Sequence, residues 1–369
     1  MYYYDMYHTA MNRFKHPLID WLIENEDILY NLASSSIPDY ELSEDCSIQK
    51  SKLLGHDHEL EEEFIGLISS FYEDDVYPIT TFGAQSANFL ALLTVLDKKS
   101  NIVVEDPTYL PIQKIAESMD IEVRIFNRRY EDEFKINIGK IKEKIDEDTK
   151  AVVMTNPHNP SGLYTDIEEF KEIQEFLMNN DAYLIVDEVF RDVLNGTDSA
   201  VYLGCNVIST NSLSKVYGMG GLRMGWTVTK DETLAENMDS TKLLSLTAIS
   251  AVSLRIALCE MKKRKDILKR SKRISDEGRS IVKKWIMRTD NVEWIEPPGG
   301  IISFPKLDIS CSAFKFAERA RKEGVLISPG RYFTRTDKFE GHIRLTFGEN
   351  PDIIKTGLEK LSKVIDECR

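Results

Sequence analysis

Positive charge is the first thing that the sequence is short of. Its 369 residues carry 47 lysines and arginines against 61 aspartates and glutamates, a net charge of −14 with histidine neutral. A general nucleic-acid-binding protein needs clustered basic residues to neutralise phosphates, so we expect no nucleic acid among its partners. No apolar run approaches the roughly 20 residues that cross a bilayer, and we expect no membrane association either.

Cysteine is scarce and shows no motif. The five cysteines are Cys46, Cys205, Cys259, Cys311 and Cys368. Because none forms a Cys-x-x-Cys pair and their number is odd, we expect reduced thiols rather than a disulfide framework, and no metal site. Residues 1–5 lack the basic and apolar regions of a secretory signal. These observations predict a compact cytoplasmic protein of one or two domains.

The most informative stretch surrounds one lysine. An apolar run at residues 207–208 predicts a strand, and Ser212, Ser214 and Lys215 follow it in a loop rich in serine and glycine, with Arg223 eight residues beyond the lysine. Hydroxyl and guanidinium donors suit a phosphate dianion. An amine beside another cation has a lowered pKa, as a Schiff-base nucleophile requires. An amine next to a phosphate anchor indicates pyridoxal phosphate.

A second candidate anion site lies earlier in the chain. Residues 78–82 predict a strand, and Gly83, Ala84 and Gln85 then open an apolar helix that we expect to continue to Leu96. A glycine turn at a helix N-terminus presents free N–H groups and a positive dipole end to an anion. Many helices begin in this way, so the motif alone is weak.

Two further predicted strands, 101–104 and 149–155, are each followed by a turn that contains a candidate ligand-binding residue. The first is followed by a proline turn and Tyr109, and the second by two Asn-Pro units that place Asn159 in a rigid turn. Ligands of open α/β sheets bind at the carboxyl ends of the strands. An aromatic ring there more often serves packing, so Tyr109 is a candidate only in company with the others.

The apolar strand predicted at residues 182–186 ends in Asp187. A carboxylate at the end of a buried strand is costly to desolvate unless it is paired. A protonated pyridine nitrogen is a suitable partner, because the charge pair keeps the ring an electron acceptor.

Taken together, the segments resemble the class I/II aminotransferases, which are fold-type I pyridoxal phosphate enzymes. The resemblance rests on Ser-x-Ser-Lys with Arg-x-Gly downstream, Asn-Pro-x-Asn-Pro-x-Gly, a Gly-Gly pair at 299–300 and Ile-Arg-Leu at 343–345. The matching segments run in the family's order from Gly83 to Arg344. A homodimer is also implied.

The resemblance implies a role for each candidate residue. Lys215 would hold pyridoxal 5'-phosphate as an internal aldimine and Asp187 would pair with its ring nitrogen. Tyr109 would stack on the ring, Asn159 would donate to the ring oxygen, and Arg344 would clasp the substrate α-carboxylate. The remaining cofactor-binding residues are Gly83, Ala84, Gln85, Ser212 and Arg223.

Three segments depart from the family pattern. Phe190 stands where a tyrosine usually donates to the ring oxygen, and Leu54 stands where a tyrosine usually reaches the neighbouring subunit's phosphate. Residues 32–38, which we predict as a short strand, resemble the segment that passes the substrate carboxylate but lack its usual glycine.

The predicted architecture is three-layer α/β. A mainly parallel sheet forms a large domain at residues 45–255, and residues 1–44 with 256–369 form a smaller α+β domain. We expect one long helix at residues 260–288 and a helix after residue 165 that is capped by Thr165 with Glu168.

The predicted activity is transfer of an amino group between an L-amino acid and a 2-oxo acid. Two alternatives remain open. One is a C–S lyase, cyclase or decarboxylase on the same scaffold, and the other is a ligand-binding protein without catalysis.

Overall fold

The computed structural model describes residues 16–44, 46, 58–245 and 247–368. In chain order the helices are α1 (Pro17–Ile23), α2 (His58–Ser69), α3 (Ala84–Val95), α4 (Pro111–Ser118), α5 (Ile138–Lys142), α6 (Ile167–Met178), α7 (Glu232–Lys242), α8 (Ala251–Met261), α9 (Arg264–Ile286), α10 (Ala313–Lys322) and α11 (Pro351–Asp366). Among these residues, no helix combines the length and the apolar character that a membrane crossing requires.

The strands divide between one large sheet and several small ones. They are β1 (Tyr30–Asn31), β2 (Tyr77–Thr81), β3 (Asn101–Asp106), β4 (Glu122–Asn127), β5 (Thr149–Thr155), β6 (Tyr183–Asp187), β7 (Val207–Ser212), β8 (Gly225–Thr229), β9 (Val292–Glu293), β10 (Ile302–Ser303), β11 (Lys306–Leu307), β12 (Val325–Leu326), β13 (Ser328–Pro329) and β14 (Ile343–Thr346).

The large sheet has seven strands in the order β2-β8-β7-β6-β5-β3-β4. Strand β8 is antiparallel to β2 and β7, and every other neighbouring pair is parallel. The apolar strands β3, β5 and β6 are buried in its centre, as their continuous apolar runs predict. This arrangement confirms the predicted α/β class.

Helices cover both faces of this sheet. Side chains alternate along β3, so that Ile102 and Val104 pack with α3, α4 and α7 while Val103 packs with α5 and α6 on the opposite face. The result is the three-layer arrangement that the sequence predicts, with the carboxyl ends of β3, β5, β6 and β7 at one edge.

A second core lies outside the large sheet. The antiparallel sheet β10-β14-β13 and the parallel pair β1–β12 pack with α9, α10 and α11. The predicted strands here are shorter than expected. Residues 32–38 are not a strand, because β1 ends at Asn31. Within residues 297–304, only the two residues of β10 pair with a neighbouring strand. The proposed domain boundaries stay a prediction.

Two helix predictions are wrong. The single helix expected at 260–288 is two, because the chain leaves helical geometry at Lys263 between α8 and α9. No proline or glycine marks that break in the sequence. The cap of α6 is Asp166, whose carboxylate accepts from the Glu168 N–H. Thr165 is engaged elsewhere, since its N–H donates to Asn156 Oδ1 at 2.9 Å.

The expectation of unpaired thiols is wrong for one pair. Cys46 and Cys259, 213 residues apart in the chain, are joined as a disulfide with their Cα atoms 5.8 Å apart. Cys311 Sγ also lies 3.0 Å from Cys368 Sγ. Sequence spacing gives no sign of either pair, because both depend on the tertiary fold.

Candidate active site

A cavity of about 310 Å³ opens at the carboxyl ends of the central strands. Seven of the ten predicted site residues line it: Ala84, Gln85, Tyr109, Asn159, Asp187, Lys215 and Arg223. The other three, Gly83, Ser212 and Arg344, lie directly behind this lining and are described below. The structure therefore brings residues from five separate segments together at one place.

Lys215 sits in a loop that leaves and re-enters the sheet at the same edge. Ser212 at the end of β7 pairs with Gly225 at the start of β8. Residues 213–224 therefore form a loop whose two ends lie side by side in the sheet. Within it the Lys215 Nζ donates to Ser35 Oγ at 3.1 Å. Burial, followed by the positive charge of Arg344, lowers the pKa of Lys215 to about 8. The amine is therefore uncharged far more often near neutral pH than an ordinary lysine, in roughly a tenth of the molecules at pH 7.

Asp187 is the last residue of β6 and is 5% exposed. Its Oδ2 accepts from Asn88 Nδ2 at 2.7 Å and its Oδ1 from the Val189 N–H at 3.2 Å. Burial raises the pKa of Asp187, whereas these two donors and the charge of Lys215 oppose the rise. The side chain is thus a desolvated carboxylate held at both oxygens.

The start of α3 and the arginine of the lysine loop form one corner of the site. Gly83, with φ at +82°, is the N-cap of α3, and a Cβ there would lie 2.8 Å from Arg223 Nη2. Arg223 donates weakly to the Phe82 and Gly220 carbonyls, at 3.4 and 3.2 Å. Gln85 Oε1 is buried and has no hydrogen-bond partner among the described residues. This corner offers helix N–H groups and a guanidinium to an anion.

A buried histidine ties the turn that carries Tyr109 to the turn that carries Asn159. His158 Nε2 donates to the Pro107 carbonyl at 2.8 Å, and its Nδ1 lies 2.7 Å from Ser161 Oγ. Burial holds the pKa of His158 well below its usual value, so the ring is neutral. Tyr109 and Asn159 are in this way fixed relative to each other.

Arg344 lies in β14 and is 1% exposed. Its Nη2 donates to the Ala33 carbonyl at 2.9 Å and its Nη1 to Asn159 Oδ1 at 3.2 Å. The guanidinium carbon lies 4.8 Å from the ring centre of Phe333, and Nε has no partner among the described residues. Burial lowers the pKa of Arg344 to about 10. A buried guanidinium with an unused N–H is suited to an incoming carboxylate.

Ser212 lies behind the cavity wall. It is fully buried, and its Oγ is 2.6 Å from Ser214 Oγ, while Ser214 itself lines the cavity. In the predicted segment it is therefore the Ser214 hydroxyl, two residues after Ser212, that faces the cavity.

Several lining residues were not predicted from the sequence: Ser35, Ser36, Asp39, Asn88, Thr155, Val189 and Gly220. Asn88 is the most informative of them, because it is an amide on the apolar helix α3. A lone buried polar residue in an apolar pattern is a detectable signal, but the pattern does not say what the residue contacts. Phe190 lines the cavity as well, and Leu54 lies outside the described residues.

The residues present fit pyridoxal 5'-phosphate. The anion corner at Gly83 and Arg223 suits the phosphate, the buried carboxylate of Asp187 suits a pyridine N–H, and the amine of Lys215 suits the aldehyde. The unpartnered Gln85 Oε1 and Arg344 Nε are buried polar atoms of the kind that a bound ligand satisfies.

Comparison with solved structures shows the same fold. A PLP-dependent aminotransferase from Streptococcus suis 89-1591 superposes with a TM-score of 0.85 at 24% identity, over 96% of this chain and 98% of that one. An aromatic aminotransferase from Pyrococcus horikoshii OT3 gives a TM-score of 0.82 at 20% identity, over 95% and 99% of the two chains.

Sequence comparison agrees. The chain is 26% identical over 325 residues to an aspartate aminotransferase of Pyrococcus horikoshii, covering 84% of this chain and 81% of that protein. It is 26% identical over 290 residues to capreomycidine synthase of Streptomyces vinaceus, covering 77% and 73%. Residues 46–361 match the family described as aminotransferase class I and II. The chain therefore belongs to this family of pyridoxal 5'-phosphate-dependent aminotransferases.

Proposed function

We propose that this chain moves the amino group of an L-amino acid to a 2-oxo acid, with Lys215 as the residue that carries the cofactor as a Schiff base and transfers the proton. The single observation that supports this most strongly is the amine of Lys215. It lies in the same cavity as Asp187 and the anion corner, and its pKa is lowered to about 8.

Each part of the cofactor has a partner in this proposal. The N–H groups at the start of α3 and the Arg223 guanidinium would bind the phosphate, and Tyr109 would pack against the ring. Asn159 would donate to the ring oxygen and Asp187 would accept from the ring nitrogen. When bound, pyridoxal phosphate supplies an electron-accepting ring that stabilises negative charge at the substrate Cα.

The protein's own groups then perform the remaining tasks. Arg344 binds the α-carboxylate as a fork, which fixes Cα relative to Lys215. The Lys215 amine, which would be released when the amino group of the substrate takes its place on the cofactor, would accept the Cα proton as a base and later give it back as an acid. Asp187, whose two oxygens accept from Asn88 and from the Val189 N–H, would pair as a carboxylate with the protonated pyridine nitrogen.

The test is absorbance spectroscopy of the purified protein with its cofactor. We expect one amino acid of a panel to shift the bound-cofactor band and a 2-oxo acid to restore it, with formation of the matching new amino acid. Lys215→Ala should bind cofactor without the Schiff-base band and should not turn over. A wild-type spectrum identical to that of Lys215→Ala would refute the proposal.

A second activity, elimination or cyclisation on the same cofactor, is favoured by Phe190. This side chain lines the cavity, where a tyrosine would supply a hydroxyl to the ring oxygen. One relative is named a synthase rather than an aminotransferase. Release of ammonia without any need for a 2-oxo acid would identify elimination, and formation of a cyclic product that keeps the nitrogen would identify cyclisation. Dependence on a 2-oxo acid would identify transamination.

We further propose a cytoplasmic homodimer. Leu243 and Leu244 are 59% and 80% exposed, and such apolar side chains suit an interface between two copies. Light scattering coupled to size-exclusion chromatography should give a mass near twice the 42.3 kDa of the chain. A monomer mass for the active enzyme would exclude this assembly.

A further inference from the structure

Asn88 contacts Asp187 directly, although neither the motifs nor the proposed mechanism uses it. It lies in α3, is 1% exposed, and lines the same cavity as Asp187. Its Nδ2 donates to Asp187 Oδ2 at 2.7 Å, the shorter of the two hydrogen bonds to that carboxylate. A donor this close to a buried carboxylate favours the ionised form.

The orientation of the Asn88 amide is fixed from its other side. Thr210 Oγ1 donates to Asn88 Oδ1 at 2.7 Å. Thr210 lies on β7 directly beside Asp187, because the two residues are register partners in the parallel pair of β6 and β7. A flipped amide would turn its oxygen toward the carboxylate and lose the hydrogen bond to Asp187, because a carboxylate cannot donate. The hydrogen bonds therefore run in one direction, from Thr210 through Asn88 to Asp187, and we call these three side chains the relay.

We propose that Asn88, oriented by Thr210, is a positioning residue that keeps the Asp187 carboxylate ionised and in one orientation, so that the pyridine nitrogen of the bound cofactor retains its proton. This inference rests on the proposed function. Asn88 acts through Asp187 and is not assigned a contact with the reacting atoms.

The chemistry involves one proton and two bases. Donation by Asn88 weakens the basicity of Asp187 Oδ2, so the shared proton resides on the ring nitrogen. Without that donor the carboxylate becomes the stronger base. The ring N–H bond then breaks, an O–H bond forms on Asp187, and both partners become neutral. The ring loses its positive charge and with it most of its capacity to accept electrons. No further reactant is needed.

Two variants separate this role from packing. Asn88→Leu removes the donor with little change of volume, and Thr210→Val removes the hydroxyl that orients the amide while leaving Asn88 in place. A matched control exists elsewhere in the sheet. Asn101 is 2% exposed, donates to Asp146 Oδ1 at 2.9 Å and accepts from Thr149 Oγ1 at 2.7 Å. Asn101→Leu therefore removes an equivalent relay that does not line the cavity.

The deciding measurement is the ¹⁵N chemical shift of the ring nitrogen, taken with ¹⁵N-labelled pyridoxal phosphate bound to each protein. We expect wild type and Asn101→Leu to give the protonated shift, and Asn88→Leu to move toward the unprotonated shift, with Thr210→Val in between. The kcat/KM of Asn88→Leu should fall about ten- to hundredfold, as for the loss of one hydrogen bond to a charged group, with a smaller fall for Thr210→Val.

The outcomes distinguish this inference from the proposed function. If wild type forms no Schiff base at Lys215, the proposed function fails and the inference fails with it. If wild type does so and both relay variants keep the protonated shift, only the inference is wrong and Asn88 is a packing residue. Should Asn88→Leu not fold, Thr210→Val decides alone, because an unchanged shift in that variant refutes the orienting relay.

Discussion

Arg344 Nη1 donates a hydrogen bond to Asn159 Oδ1, with the two atoms 3.2 Å apart. Arg344 belongs to the C-terminal strand β14, whereas Asn159 follows the central strand β5. The predicted contact for the substrate carboxylate and the predicted donor to the cofactor ring are therefore linked directly. We expect a substrate carboxylate that engages Arg344 to compete for this hydrogen bond.

Replacement of Arg344 by lysine should weaken substrate binding strongly, although the charge is retained. Lysine presents a point charge and cannot form the two parallel hydrogen bonds of a guanidinium with a carboxylate. We expect kcat/KM to fall about ten- to hundredfold, corresponding to the loss of about 1.5–3 kcal/mol for a hydrogen bond to a charged group. Steady-state kinetics with the best amino acid of the panel measures this.

The control for that prediction is Arg331→Lys. Arg331 is exposed and pairs with Glu340 at 3.5 Å, away from the cavity lining. Its replacement should leave kcat/KM unchanged. Equal activities of Arg344→Lys and wild type would remove Arg344 from the substrate site.

Cofactor uptake by the protein freed of cofactor should depend on pH through Lys215. Only the uncharged amine attacks an aldehyde, and the pKa of Lys215 is lowered to about 8. The uptake rate should therefore rise roughly tenfold per pH unit below that value and level off above it. Stopped-flow absorbance at a series of pH values provides the profile. Because the charge of Arg344 contributes to the lowered pKa, Arg344→Gln should move the plateau to higher pH.

The lowered pKa of Lys215 should also make the stability of the cofactor-free protein depend on pH. Between about pH 8 and 10.5 the unfolded chain retains the proton that folded Lys215 has released, so stability without cofactor should increase with pH through this window. Lys215→Met lacks the group and should lack this increase. The difference between the two proteins should be on the order of 1–3 kcal/mol, because contact of the amine with solvent in the open cavity reduces the effect. Urea denaturation at pH 8 and pH 10 measures it.

Gly83→Ala should impair phosphate binding specifically. The new Cβ would lie 2.8 Å from Arg223 Nη2 and would displace the guanidinium from the anion corner. We expect the affinity for pyridoxal phosphate to fall about ten- to hundredfold, whereas the affinity for pyridoxal, which has no phosphate, should change little. Fluorescence titration with both compounds makes the comparison.

Gly324→Ala is the matched control for backbone strain. Gly324 has φ at +80°, close to the +82° of Gly83, but a Cβ there would meet nothing within 4 Å. Both variants should lose roughly 1 kcal/mol or more of stability, since alanine is disfavoured at positive φ. A similar loss of cofactor affinity in both would attribute the Gly83 effect to strain alone.

Phe190→Tyr should lower the pH at which the absorbance of the bound cofactor changes. A phenol at this position can donate to the ionised ring oxygen, which stabilises the form that has lost the Schiff-base proton. The midpoint should move down by about one to two pH units, the equivalent of one hydrogen bond to a charged group. Phe176→Tyr, on α6 away from the cavity, should leave the midpoint unchanged. Identical titrations of Phe190→Tyr and wild type would contradict this explanation.

Those parts of the site that follow a strand could be predicted from the sequence. Asp187, Asn159 and Tyr109 follow apolar runs whose ends are readable, and parallel strands bring such ends to one edge of a sheet. The loop that contains Lys215 was identified by its composition. The family, fold class and cofactor expected from these segments are confirmed by the comparisons.

Contacts across the fold could not be predicted in this way. The hydrogen bond from Arg344 to the Ala33 carbonyl joins residues 311 positions apart, and neither residue carries a local sign of the other. Asn88 was missed for a related reason, since helical periodicity describes the face that a residue occupies and not the carboxylate that lies opposite. Ser214 and not Ser212 faces the cavity because the backbone turns after β7 ends. The alternation of side chains along β7 does not predict the direction of that turn.

The parallel pairing of β1 with β12 has a consequence for the order in which the protein matures. Tyr30 pairs with Val325, so the segment that supplies the Ala33 carbonyl leaves the ribosome hundreds of residues ahead of its partner strand. The seven-stranded sheet is complete at Thr229 and is able to assemble earlier during synthesis. A nascent chain that ends before residue 325 therefore lacks both the partner of β1 and Arg344. If Arg344 has the role proposed above, we expect such a chain to lack the contact for the substrate carboxylate.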